Sequence, residues 1–388
     1  MNRFAVTERQ KDLVKRAEVL AKRFSDRSAE IDREAKFPFK NFDDLKDAGF
    51  LKLTVPKRCG GEEITLYEML LVLETLGKGD ASTALSLGWH LGILMDLALR
   101  REWEKLQFER LCREVVENHA LINRAATEPA TGSPTRGGKP TTTAEKRGET
   151  WVLNGRKTFT TMAPGLDYAI VTASVGGSDE VGGFLVPLDA KGVEIEPTWD
   201  TLGMKGTRSD DLVMSNVALP LDARVETMEA DSGKRSPMGW LLHIPAAYLG
   251  VGEAAKAFAV QFAQTYQPNS LPGPIKEVPH IQQKIGEMEL ELLKARALLY
   301  SVAESWETNA ATRDFLQPEL AAAKTVATNA AVHVVDLAMR VVGGRSLSRT
   351  LPLEQWYRDV RAGIHNPPND DITYSVLAKH AFMEGELR

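Results

Sequence analysis

Cysteine is scarce in this 388-residue chain, which carries only Cys59 and Cys112. Two thiols cannot form a disulfide framework, and neither sits in a CxxC or Cys/His cluster. A stapled secreted fold and a structural zinc site are therefore excluded, and two free thiols in a reducing compartment are expected. An excess of one charge is also missing. Forty-eight basic against 53 acidic side chains leave a formal net charge of −5, with no long run of either sign. That gives no electrostatic footprint for a nucleic-acid partner. Long apolar runs are absent too. The most apolar stretch, Leu85 to Leu99, is interrupted by His90 and Asp96. It falls short of the ~20 residues a membrane-spanning helix needs, so it reads as a buried core helix with no membrane partner. Met1 to Arg23 is charged throughout and has no apolar h-region. No secretory signal is read there, and a cytoplasmic protein is expected.

What is present is ordinary globular material, 43% hydrophobic and 26% charged, enough to bury a core without staples. Its periodicity changes twice. Leu13, Val14, Ala17, Leu20, Ala21 and Phe24 recur at helix spacing, and further helices are expected over Asn41 to Ala48, Leu66 to Leu76, from Ala81, and over Glu102 to Asn118. From about Leu121 helix periodicity stops. Trp151 to Thr160 reads as a hairpin turning at Asn154-Gly155, a pair that tolerates the positive φ angles of a type I′ turn. Tyr168 to Ala173, Gly183 to Pro187, Val193 to Pro197 and Leu212 to Leu219 read as further strands of a β-barrel or sandwich. Helix returns from about Met238, with amphipathic segments through Ile285 to Val302 and Leu320 to Val342. The second ends at Gly343-Gly344, and such facing apolar helices suit a four-helix bundle. The expected α+β layout is an N-terminal helical domain over residues 1–120, a central β-domain over 121–232, and a C-terminal helical bundle over 233–388.

Several motifs fall in order along this layout. They are Gly49-Phe-Leu-Lys-Leu-Thr-Val-Pro56 with Gly60-Gly61, Gly79-Asp-Ala-Ser-Thr-Ala-Leu85, and Thr127-Glu-Pro-Ala-Thr-Gly-Ser133. Lys157-Thr-Phe-Thr-Thr161, Leu202-Gly-Met-Lys-Gly-Thr-Arg-Ser209 leading to Met214–Pro220, and Gly343-Gly344 with Leu351-Pro-Leu-Glu354 and Arg358-Asp359 complete the set. Each alone has a bland reading: Thr127 and Ser133 as turn residues, Phe159 as a strand-core aromatic, Gly343-Gly344 as a helix C-cap. Together they resemble the acyl-CoA dehydrogenase family, whose fold some flavin-dependent monooxygenases share. That resemblance implies an FAD-dependent oxidoreductase acting on an acyl-CoA or another small molecule. An electron-transfer flavoprotein or a flavin reductase would be its redox partner, and a homodimer or homotetramer its assembly. It also implies that Ala126, Thr127, Gly132 and Ser133 line the flavin. Phe159 would pack on the isoalloxazine and Thr161 would bond near its reactive nitrogen. Gly343 and Gly344 would admit the pyrophosphate, with the cation of Arg340 beside it.

The chain also departs from the family pattern. Pro134 replaces the aspartate of the "TEPxxGSD" signature, and Pro268–Ile275 lacks the arginine of "RxxFGxPI", so FMN is an alternative cofactor. The family's base is a glutamate shortly after the Arg-Asp pair. Here Arg358 to Pro368 places Pro367 or Asn366 at that position, and neither can accept the proton. The alternative carboxylate site on the first bundle helix falls near Trp240. Candidate catalytic groups are therefore His365, Asn366, Asp370 and His90. His365 resembles the histidine of the related monooxygenases. Asp370 could also simply cap the next helix, and His90 could be a bonded core histidine.

Overall fold

The computed structural model describes residues 3–132, 139–229 and 237–386. Three of its N-terminal helices begin where side chains satisfy unpaired N–H groups of the first turn. Helix α1 (Glu8–Glu34) opens with a capping box between Thr7 and Gln10, and α3 (Leu66–Gly77) with one between Thr65 and Glu68. Asp80 caps α4 (Ala81–Arg100) by accepting from the Thr83 backbone N–H. Helices α2 (Phe39–Asp47) and α5 (Lys105–Glu117) complete the N-terminal layer. As expected, α4 is a core helix and most of its length is buried. It and the segment Gln317–Leu347 are long and apolar enough to cross a membrane, but 72% and 56% of those windows are buried inside the protein.

The middle of the chain forms strands β1 (Ile122–Ala125), β2 (Thr143–Arg147), β3 (Thr150–Lys157), β4 (Tyr168–Val175), β5 (Glu180–Pro187), β6 (Val193–Glu196), β7 (Asp211–Pro220) and β8 (Arg224–Glu229). They pair in the order β6-β7-β3-β2-β4-β5-β8, with β1 added parallel to β4. The expected turn at Asn154-Gly155 is corrected. The β2–β3 hairpin turns at Gly148-Glu149, and Asn154-Gly155 lies inside β3, where its register against β7 shifts. Gly155 has φ +153, and a Cβ there would meet Thr142 Oγ1 at 2.4 Å. Glycine thus serves a bulge and a close backbone approach, a role that looks the same in sequence as a turn glycine.

Helices α6 (His243–Thr265), α7 (Pro279–Thr308), α8 (Gln317–Val342), α9 (Leu353–Gly363) and α10 (Asp370–Glu386) follow. The helical, β, helical order read from periodicity is therefore the order of the fold. Both helical layers share one continuous hydrophobic core, while the sheet has its own, built around Trp151, Leu153, Phe184 and Met214. The two layers lock where α3 crosses α6. A Cβ at Gly250 would lie 2.3 Å from Glu74 O, so only glycine permits that approach. Next to the crossing, Arg296 bonds the buried Glu74 carboxylate, which also accepts from Tyr300 Oη. Helix α9 ties the layers to the sheet. Arg358 forks onto Asp32 of α1, and Asp359 accepts from the backbone N–H of Met204.

Candidate active site

One large cavity, of about 2140 Å³, opens between the sheet, α4, the start of α6, α8 and the turn after α9. On the sheet side it is lined by Ala126, Thr127, Gly132, Phe159 and Thr161. The loop carrying Thr127 and Gly132 is held by a buried ion pair. Lys157 Nζ reaches Glu128 Oε1 at 2.6 Å, with both side chains fully buried. Burial opposes ionisation of Glu128. Donation from Lys157, Thr141 and Thr142 outweighs it and pulls the carboxyl down to about 2. Burial pushes the Lys157 ammonium down to about 8, against the attraction of Glu128. The loop is thus stapled to β3 by two residues of the Thr-Glu-Pro and Lys-x-Phe motifs, neither of which was singled out from sequence.

Phe159 follows directly. It is 65% exposed although apolar, and its backbone has φ +55, costly for a residue with a Cβ. Its ring meets Trp199 edge-on at 5.7 Å. Phe159 is therefore an exposed ring on a strained backbone at the cavity wall, not a strand-core residue. Thr161 is buried, and its hydroxyl belongs to a chain of three. Thr161 Oγ1 lies 3.0 Å from Ser209 Oγ, which lies 2.9 Å from Thr207 Oγ1, and Thr207 donates to the Met204 carbonyl. Because Thr207 uses its proton on Met204, Ser209 donates to Thr207 and Thr161 donates to Ser209. The Thr161 oxygen therefore has its lone pairs free to accept. Asn123 Nδ2 fixes the Thr161 carbonyl at 2.8 Å.

Across the cavity stand His365, Asn366, Pro367 and Pro368, in the turn between α9 and α10. Tyr248 of α6 is fully buried and donates to Asn366 Oδ1 at 2.9 Å, which pins that turn. Burial raises the Tyr248 phenol, leaving it a donor. His365 is exposed toward the cavity. Trp240, where the alternative carboxylate was sought, is a buried wall residue that meets Trp89 edge-on.

The remaining candidates lie elsewhere. His90 is fully buried outside the lining. Its Nε2 contacts Leu51 O at 2.8 Å and its Nδ1 accepts from Ile122 N at 3.1 Å. Burial lowers its pKa to about 4, so it is a neutral core histidine that joins α4 to β1. Asp370 is also outside the lining, and Asn329 donates to its Oδ2. Asn369 caps α10, accepting from Ile372 N. Arg340 is exposed and bonds Asp336, and Gly343, with φ +72, ends α8; none of Arg340, Gly343 and Gly344 lines the cavity. Ser133 lies outside the described residues.

Four carboxylates of the cavity wall are engaged by cations. Glu226 pairs with Arg124, Asp211 with Arg156, Asp96 with Arg100, and Glu128 with Lys157. Among the described residues no cluster suited to a metal ion occurs.

Family models of the acyl-CoA dehydrogenase N-terminal, middle and C-terminal domains match residues 7–117, 123–217 and 242–366. The chain is 49% identical over 98% of its length, and all of the other's, to YdbM of Bacillus subtilis (strain 168), provisionally named an acyl-CoA dehydrogenase. Butyryl-CoA dehydrogenase from Megasphaera elsdenii shares the fold, with a TM-score of 0.85, 22% identity, and 97% and 99% of the two chains covered. So does the dibenzothiophene monooxygenase TdsC from Paenibacillus sp. A11-2, with a TM-score of 0.82, 23% identity, and 95% and 96% covered.

Proposed function

Because the chain belongs to the acyl-CoA dehydrogenase family, we propose that it is an FAD-dependent oxidoreductase that dehydrogenates an acyl thioester in this cavity. The observation that carries the reading is the meeting of two walls. Phe159, Thr161 and the clamped Thr127–Gly132 loop face the His365–Pro368 turn across one space. That space exceeds the roughly 300–1,000 Å³ of a single small-molecule pocket, so it has room for a dinucleotide and a substrate together. The residues present fit a flavin: an exposed aromatic plate, an accepting hydroxyl and loop N–H groups in a strapped turn. When bound, FAD supplies the two-electron redox chemistry.

The chain's own residues position and move protons. Phe159 and the accepting hydroxyl of Thr161 would hold the flavin's ring system. Tyr248 and Asn366 hold the turn that closes the substrate side. His365 receives the substrate's α-proton, because its imidazole is the proton-accepting side chain of the 364–369 turn. Arg340, Gly343 and Gly344 lie outside the cavity, so their pyrophosphate role requires a second copy of the chain. An electron-transfer flavoprotein is the acceptor this reading implies.

A second reading rests on the same turn. A histidine and two prolines stand where a carboxylate would, which favours a flavin-dependent monooxygenase served by a flavin reductase. Anaerobic stopped-flow mixing with a panel of acyl-CoAs tests the first reading. Bleaching of the oxidised flavin band is expected, with His365→Ala slowing it about 10²–10⁴-fold. If no acyl-CoA bleaches the flavin, and reductase-driven turnover consumes O₂ in a substrate-dependent way, the dehydrogenase reading falls.

A further inference from the structure

Helix α8 presents one face to the cavity. Gln317, Leu320, Ala321 and Lys324 all line it, and their spacing places them on the same side of the helix. Three of the four are what a wall needs. Lys324 is not. The residue is 2% exposed, and its Nζ has no hydrogen-bond partner. An ammonium carries three donors, and burying it without acceptors is unfavourable unless something else supplies them.

The nearest opposite charge does not meet it. Asp370, at the start of α10, acts on Lys324 electrostatically, yet the two form no ion pair within 4.0 Å. One Asp370 oxygen is taken by Asn329, and the other, Oδ1, is buried and unpartnered like the ammonium. The neighbouring cavity residues Leu320, Ala321, Leu241 and Ile372 are apolar and suit a methylene chain. A buried cation without a partner, set beside apolar residues of that cavity, marks where a ligand's anion belongs.

The geometry points to an acyl substrate whose far end carries a carboxylate, received by Lys324. This names the substrate class of the thioester reading and rests on it for the occupant of the cavity. Lys324 is here a specificity-determining residue: the redox step needs nothing from it, but the choice of chain end does.

Calorimetric binding tests this on the flavin-loaded protein, independently of turnover. The probes are succinyl-, glutaryl- and adipyl-CoA against butyryl-, pentanoyl- and hexanoyl-CoA, with an ω-hydroxyacyl-CoA as a neutral acceptor. The best dicarboxylic ester is expected to bind at least about tenfold tighter than its methyl-ended counterpart, as a charge-assisted hydrogen bond allows. Lys324→Met should erase that preference and Lys324→Arg should keep it. Equal or tighter binding of methyl-ended or hydroxyl-ended chains by the unaltered protein overturns the inference, and so does a preference that survives Lys324→Met. Flavin bleaching by methyl-ended esters without a carboxylate preference would sink Lys324 and leave the dehydrogenase reading standing. A carboxylate preference in binding without bleaching by any ester would do the reverse.

Discussion

Two lysines are buried on opposite sides of the cavity, Lys324 in its lining and Lys157 behind the sheet wall, and their surroundings differ. Lys157, on the sheet side, reaches Glu128 at 2.6 Å and Thr172 Oγ1 at 3.2 Å. Lys324, on the helical side, reaches nothing. Burial pushes both ammonium groups down to about 8, opposed by Glu128 in one case and by the more distant Asp370 in the other. Similar burial and a similar shift therefore accompany different roles. Lys157 spends its donors on holding the loop that carries Thr127 and Gly132. Lys324 keeps its donors for whatever enters. A titration alone would not separate them; the partner inventory does.

The largest effect expected from breaking this contrast is on the sheet side. Lys157→Met leaves the Glu128 carboxylate buried without its cation and should destabilise the protein by about 3–5 kcal/mol. Denaturant unfolding would measure it, and flavin content after purification should fall with it. A loss below about 1 kcal/mol would show that the clamp does not hold the loop.

His90 sharpens the same contrast, because its ring, like Lys157, is fully engaged by protein. His90→Leu should cost about 1–3 kcal/mol by orphaning Leu51 O and Ile122 N. The rate of flavin reduction per folded molecule should be unchanged. The folded-state pKa of about 4 lies below the ordinary histidine value of 6.5, so the unfolded chain binds the extra proton first. The contribution of His90 is therefore present above pH 6.5 and is lost as pH falls toward 4. Unfolding measured across that range should show this part of the acid sensitivity disappear in the variant.

The smallest effect has the opposite sign. Lys324→Met removes an unpartnered buried charge and should stabilise the ligand-free protein by about 1 kcal/mol near neutral pH. The folded pKa of about 8 lies below the ordinary 10.5, so the unfolded chain holds this proton longer. The penalty from Lys324 is full below pH 8 and disappears as pH rises past 10.5, and the gain in the variant should fade over the same window. A variant less stable than the parent at neutral pH would mean that Lys324 already has a partner in the folded protein.

Much of the cavity was legible before the fold was known. Phe159, Thr161, Thr127 and Gly132 stand in motifs whose order along the chain located the sheet wall, and the departure at His365-Asn-Pro-Pro located the opposite wall. What misled was local similarity. Asn154-Gly155 has the chemistry of a turn but occupies a bulge, because the strand continues past it to pair with β7. His90 interrupts an apolar helix as an active-site histidine would, but its two ring nitrogens are taken by backbone groups 39 and 32 residues away in sequence. Lys324 left a readable trace that was passed over. It lies four residues after Leu320 and seven before Ala331, so helix periodicity alone placed it on the apolar face.

The sequence by itself determined the order of the layers and most of the helices, because periodicity and capping act over a few residues. It also determined which motifs belong together. Only the tertiary structure decided which polar groups have partners. Glu128 with Lys157, Tyr248 with Asn366, Asp32 with Arg358 and the buried, partnerless ammonium of Lys324 each depend on residues far apart in the chain. A hydrogen bond needs its two atoms within about 3 Å, and no local pattern specifies that distance.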